Sequence, residues 1–146
     1  MSLSISIKSP LLSVTTVRAM ICAPSDKIQT MIEDGSLLWA FDIRHPNAVR
    51  PYIRVLTQSV VDYLAQKPLA RRDSNWCSVL PTILPVHRDS LPATVVAHLL
   101  NCDADHVNLL VKARSFTQAT ARKSPNQSQK IKRESIAAFL KQRRML

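Results

Sequence analysis

Apolar positions in residues 4–37 recur in residues 83–116 at a constant offset of 79. Ile28 falls on Val107, Met31 and Ile32 on Leu110 and Val111, and Val17 on Val96. Met20 and Ile21 fall on Leu99 and Leu100, and Leu12 on Leu91. A second block follows at an offset of 76: Val55 falls on Ile131, Ser59 on Ser135, Val60 on Ile136, Tyr63 on Phe139 and Leu64 on Leu140. Few letters are identical, but the apolar pattern is shared, which marks one small unit used twice. The change of offset means that the second copy is three residues shorter between the blocks. Such changes collect at loop tips.

Within each copy the pattern predicts the elements. Residues 2–7 alternate polar and apolar, the period of a half-buried strand. Ser13 is placed to cap a helix over 14–21, and Pro92 suits the first turn of its twin. Breaks at 22–24 and 101–103 precede second helices over 25–34 and 104–113. Gly35, the only glycine, stands where a left-handed helix cap is expected. Extended segments at 37–43 and 52–56 flank His45-Pro46-Asn47-Ala48, a turn composition. Their twins are 115–121 and 128–132. Closing helices are expected at 58–65 and 134–142. Residues 67–81, with Pro68, Arg71 and Arg72, read as a linker, in which Trp76 would pack between the copies. The expected organisation is therefore 1–66, a linker over 67–82, and 83–146.

Two short helices with a three-residue break, then a hairpin and a closing helix, describe a winged helix-turn-helix. The run Ser13-Val14-Thr15-Thr16-Val17-Arg18-Ala19-Met20-Ile21, then Ile28 and Met31-Ile32-Glu33-Asp34-Gly35-Ser36-Leu37, resembles the DNA-binding module of phage excisionases and MerR-type regulators. The closing helix contributes Ser59-Val60-Val61-Asp62-Tyr63-Leu64 and, again, Ser135-Ile136-Ala137-Ala138-Phe139-Leu140. The likeness spans most of residues 4–65 and, more weakly, 83–140. It departs from the single-module excisionases in having two copies. It implies a mainly α fold with small β wings (α+β), made of two tandem winged helix-turn-helix modules. It also implies that the second helix enters the major groove while the wing touches phosphates or the minor groove.

Charge then distinguishes the copies. Residues 1–66 carry six basic and five acidic side chains, whereas residues 87–146 carry eleven and four. Seven cations and no acid lie between Lys112 and Arg133. A field of one sign attracts polyanions. With the apolar stripe buried, the outward set of the first reading helix is Asp26, Lys27, Gln29, Thr30 and Glu33. In the second copy it is Asp105, His106, Asn108, Leu109 and Lys112. Gln29 and Asn108 carry the donor–acceptor pair that reads adenine. The expected DNA contacts are Lys27, Gln29, Thr30, Arg44, Arg50 and Arg54 in the first copy. In the second they are His106, Asn108, Lys112, Arg114, Arg122, Lys123, Lys130 and Lys132. Asp26, Glu33 and Asp34 repel phosphates, so the second copy is the stronger binder and the first is a candidate for protein contact. Arg143 and Arg144 suit the negative end of the last helix or a phosphate.

Other chemistry is missing from the pattern. The four histidines and three cysteines have no metal-ligand spacing, and one glycine cannot form a phosphate loop. No catalytic residues and no cofactor are expected. Cys22, Cys77 and Cys102 read as buried free thiols of a reducing cytoplasm. No run is long enough to cross a bilayer, and residues 1–10 do not form a signal peptide. The expectation is a cytoplasmic, nucleoid-associated protein binding double-stranded DNA sequence-specifically. It would act as a transcription regulator or as an architectural factor in recombination. Its modules would sit about 10 bp apart on one face. A protein partner (a recombinase or a polymerase) or self-association would accompany it. The alternative is a protein-interaction adaptor that keeps the fold without DNA.

Overall fold

A computed structural model describes residues 9–72, 74–119 and 130–145. The described chain is α+β, with seven α-helices and sheets of three and two strands. None of these helices is long and apolar enough to cross a membrane. The strand expected over 2–7 lies outside the described residues.

Strand β1 (Leu11–Ser13) leads into helix α1 (Val14–Ile21), whose N-terminus is capped by the Ser13 hydroxyl accepting from Thr16 N at 3.2 Å. The helix stops at Cys22, in the left-handed region at φ 59°. Helix α2 (Ser25–Glu33) follows and buries Ile28, Met31 and Ile32. Gly35 then turns the chain at φ +84°. Strands β2 (Ala40–Asp42) and β3 (Ile53–Leu56) complete an antiparallel sheet in the order β1-β3-β2, and α3 (Thr57–Leu64) closes the half.

The second half repeats these elements except β2, in whose place the described residues show only an isolated bridge between Gln118 and Ile131. Strand β4 (Ser90–Pro92), α5 (Ala93–Leu100) and α6 (Ala104–Lys112) stand 79 residues after β1, α1 and α2. The left-handed residues repeat too: Asn101 (φ 54°) matches Cys22, and Arg114 (φ 60°) matches Gly35. Strand β5 (Lys130–Lys132) pairs with β4 in the register that β3 keeps with β1, and α7 (Arg133–Gln142) closes the half. Backbone bonds from Ala119 N to Lys130 O and from Lys132 N to Thr117 O form the second hairpin. The serine shared by the closing helices has a structural task. Ser59 Oγ accepts from Trp39 N at 3.3 Å, and Ser135 Oγ accepts from Thr117 N at 3.0 Å. In both halves the closing helix thus pins the start of the hairpin.

The first sheet is buried on both faces. Leu12, Val55 and Ala40 form a cross-strand row that joins the core of α1, α2 and α3. Leu11, Leu56 and Phe41 point the other way, into a second core shared with α5, α6 and α7. Trp39 and Ile43 enter the same shared core. Burial on both faces explains why 37–43 reads as an almost continuous apolar run rather than a strict alternation.

The stretch read as a linker contains a helix. After a 3-10 turn (Leu69–Arg71), α4 (Trp76–Ile83) starts under an Asn75 cap that accepts from Cys77 N at 3.0 Å. Its Val79 and Ile83 are buried in the shared core. Pro81 lies inside this helix and, having no N–H, gives up the bond to the Cys77 carbonyl, while beyond it Leu84 N still donates to Leu80 O at 2.9 Å. Trp76 packs partly buried against the shared core, with its ring 5.6 Å from Trp39 and 6.0 Å from Phe41, both of the first half.

The chain then returns to the first half. Asp42 N donates to Arg143 O at 3.0 Å, and Met145 N donates to Ala40 O at 2.8 Å, with an antiparallel bridge between Phe41 and Arg144. Residues 143–145 therefore line the outer edge of β2. The Arg144 guanidinium lies 3.7 Å from the Trp39 ring centroid, and that of Arg143 lies 5.3 Å from the Phe139 centroid. Arg144 thus serves packing rather than a helix end. Desolvation lowers its pKa from the usual value.

A shared core implies that the halves unfold together. Thermal unfolding followed by tryptophan fluorescence and by far-UV circular dichroism is expected to give one coincident transition. Trp39→Ala is expected to cost about 3–5 kcal/mol. Two separated transitions would show independent halves. The left-handed pair makes a second prediction. A Cβ at Gly35 would meet nothing within 4 Å, so Gly35→Ala is expected to cost only the backbone strain, about 1 kcal/mol. Arg114→Gly is expected to return about the same amount, as read from denaturant midpoints.

Candidate nucleic-acid interface

The outward face of α2 is acidic. Asp26, Lys27, Thr30, Glu33 and Asp34 are exposed, and Gln29 is half-buried. Two of its candidate readers are engaged locally. Gln29 Nε2 donates to Glu33 Oε1 at 3.2 Å, and Thr30 Oγ1 donates to Asp26 O at 3.0 Å. Hydrogen bonds from Ser36 hold the Asp34 carboxyl below its usual pKa, so it stays charged.

Helix α6 presents a different face. Leu109 (44% exposed), Lys112 and Asp105 point outward, and Asn108 is half-buried. His106, expected outward, is buried at 8% exposure. The cause is the hairpin of the first half, which covers the first turn of α6. The His106 ring stacks on Tyr52 at 4.3 Å, and its Nε2 lies 2.6 Å from Ile43 O. A helix pattern describes one helix alone and cannot register a cover that comes from as far as 63 residues upstream.

The same joint takes Arg54. Its Nε donates to Asn101 O at 2.7 Å, at the break before α6, and its guanidinium lies 4.4 Å from the Tyr52 centroid. Arg54 therefore points into the joint and not outward. Burial lowers its pKa and raises that of Tyr52. Asp42 organises the hairpin from within. Its Oδ1 accepts from Arg44 N at 3.2 Å and from Tyr52 N at 3.0 Å, while its Oδ2 pairs with Arg44 Nε at 3.3 Å. Arg44 Nη1 also donates to Val49 O at 3.2 Å. Arg44 is thus committed to loop shape, whereas Arg50 is exposed. Sequence reasoning missed Asp42 and Tyr52. The one legible signal was a carboxylate inside the apolar run 37–43.

Exposed cations also line the second half, as Lys27 and Arg50 do the first. Lys112, Arg114, Lys130 and Lys132 are all exposed, and none makes an ion pair with a described residue. Lys130 and Lys132 flank the fully buried Ile131, so the pleat turns both lysines to the outer face of β5. Lys112 and Arg114 line an open groove with Phe116, Thr117 and Gln118, at the foot of the second hairpin. Arg133 is instead spent on Pro85 O at 2.8 Å. Arg122 and Lys123 lie outside the described residues.

Compared with protein-family models, with curated proteins and with solved structures, the chain matches none.

The cysteines differ from the expectation of three buried thiols. Cys22 and Cys77 are exposed, and Cys102 alone is half-buried. Burial beside the Tyr52–Arg54 joint pushes its thiol up to about 11 from 9.0. Because the thiolate is the reactive species and Cys102 is half-buried, it is expected to alkylate more slowly than the exposed Cys22 and Cys77 at pH 8, by about tenfold or more. Mass spectrometry of a time course measures this. Equal rates in the folded chain would remove the joint as described.

Proposed function

We propose that the chain binds double-stranded DNA through its second half. The observation that carries this reading is the set of four exposed cations, Lys112, Arg114, Lys130 and Lys132, on the end of α6 and the strand of its hairpin, none of them ion-paired with a described residue. Seven cations and no acid lie between Lys112 and Arg133 in the sequence. Cations that form no ion pair with a described residue are available to phosphates. Helix, left-handed turn, helix and hairpin occur in the order of a winged helix-turn-helix in both halves. In this reading α6 lies in the major groove, where the Asn108 amide suits adenine and Leu109 a thymine methyl. The protein positions itself on a site without chemistry, as a transcription regulator or an architectural factor in recombination.

A second reading, a protein-interaction adaptor, has its own observation: the acidic outward face of α2 with Asp26, Glu33 and Asp34 exposed. Affinity for a pool of random duplexes, measured against salt, separates the two. Four phosphate contacts predict that log affinity falls with log salt at a slope of about −3.6, a loss of about a hundredfold between 50 and 200 mM. Enrichment of a motif from the pool supports site-specific reading. Absence of binding at low salt would sink the DNA reading and leave the adaptor.

A further inference from the structure

We propose that the hairpin of the first half and α6 of the second form one continuous DNA-facing surface, with α2 outside it. This rests on the DNA reading above and replaces two spaced readers with a single composite one.

Three observations carry it. First, the hairpin is fixed on the leading end of α6. Tyr52 stacks on His106, Ile43 O meets His106 Nε2, and Arg54 Nε holds Asn101 O. The His45 ring also lies 6.3 Å from that of His106. Second, the other end of α6 runs through Arg114 into its own hairpin, with Lys130 and Lys132 on the outer face. The helix is thus flanked by a hairpin at each end. Its nine residues span about 13 Å, close to the major-groove width of about 12 Å. A helix of that length across the groove places one hairpin beside each phosphate wall. Third, α2 packs on the opposite face of the first sheet. Its apolar side belongs to the core of Leu12, Ala40 and Val55, whereas α6 belongs to the core of Leu11, Phe41 and Leu56.

Roles within the surface follow from which cations are free. Arg44 is paired with Asp42 and bonded to Val49 O, so it sets the shape of the loop. Arg50, exposed at the tip beside Val49 (90% exposed), is the cation left for a phosphate on that side. Lys112, Lys130 and Lys132 supply the other side. The first half then contributes its hairpin to the reader that the second half contains, and the two halves share one footprint.

The test is the salt dependence of binding of the full chain and its variants to a 20-bp random-sequence duplex, with melting curves confirming the fold of each variant. Arg50→Ala, Lys112→Ala and Lys132→Ala are each expected to reduce the log–log slope by about one. Glu33→Gln is expected to leave affinity and slope unchanged. If Arg50→Ala is silent while Lys112→Ala and Lys132→Ala act, the composite surface is overturned and the DNA reading stands. If Glu33→Gln tightens binding, α2 faces the duplex and the composite surface is overturned. If the unaltered chain does not bind at low salt, the DNA reading itself falls.

Discussion

Burial of the first sheet on both faces is the constraint on which the rest of this structure depends. A small winged unit needs to cover only one face of its sheet. Here Leu11, Trp39, Phe41, Ile43 and Leu56 also turn apolar side chains away from their own helices. Exposing that surface would be costly, at roughly 25 cal/mol per Å² of apolar area. The second half and α4 supply the cover. The aromatic group of Trp39, Phe41 and Trp76 sits at the meeting point, with the Arg144 guanidinium laid on Trp39. The relative placement of the two halves therefore follows from a core and not from a tether.

Divergence between the copies is confined by that arrangement. The backbone signature persists through different residues: Cys22 and Asn101 both take the left-handed region, as do Gly35 and Arg114. Asparagine adopts it more readily than most side chains, and glycine most readily of all. Arg114 accepts backbone strain at a position that also carries an exposed positive charge. The surfaces changed more freely. Glu33 and Asp34 on α2 correspond to Lys112 and Ala113 on α6. One half presents an acidic helix to solvent, and the other a basic helix end beside a basic hairpin.

Much of the local structure was legible in the sequence because local chemistry determines it. The Ser13 cap, the ends of α1 and α2, the break between them and the turn at Gly35 each depend on a few neighbouring residues. The repeat carried these readings into the second half, where single signals are weaker. What was missed depends on distant partners. Pro68, Arg71 and Arg72 suggested a linker, yet Val79 and Ile83 had a core to enter, and burial outweighed the proline at position 81. His106 and Arg54 were placed outside because nothing in their own helix or strand reveals the joint that joins them to Tyr52 and Asn101. Arg144 was read by its charge, although its plane and its stem are what the Trp39 ring uses.

The strand-like run of residues 143–145 along β2 has a consequence for how the protein is made safe from itself. An open sheet edge is a template for pairing with other chains. Here the edge of the first sheet is closed by residues about a hundred positions further on, through Asp42 N to Arg143 O and Met145 N to Ala40 O. Contacts so distant in sequence form late, because the long loop between them must close first. Until residues 143–145 are in place, the β2 edge carries unpaired backbone groups. In the completed fold residues 143–145 keep that edge from serving as such a template.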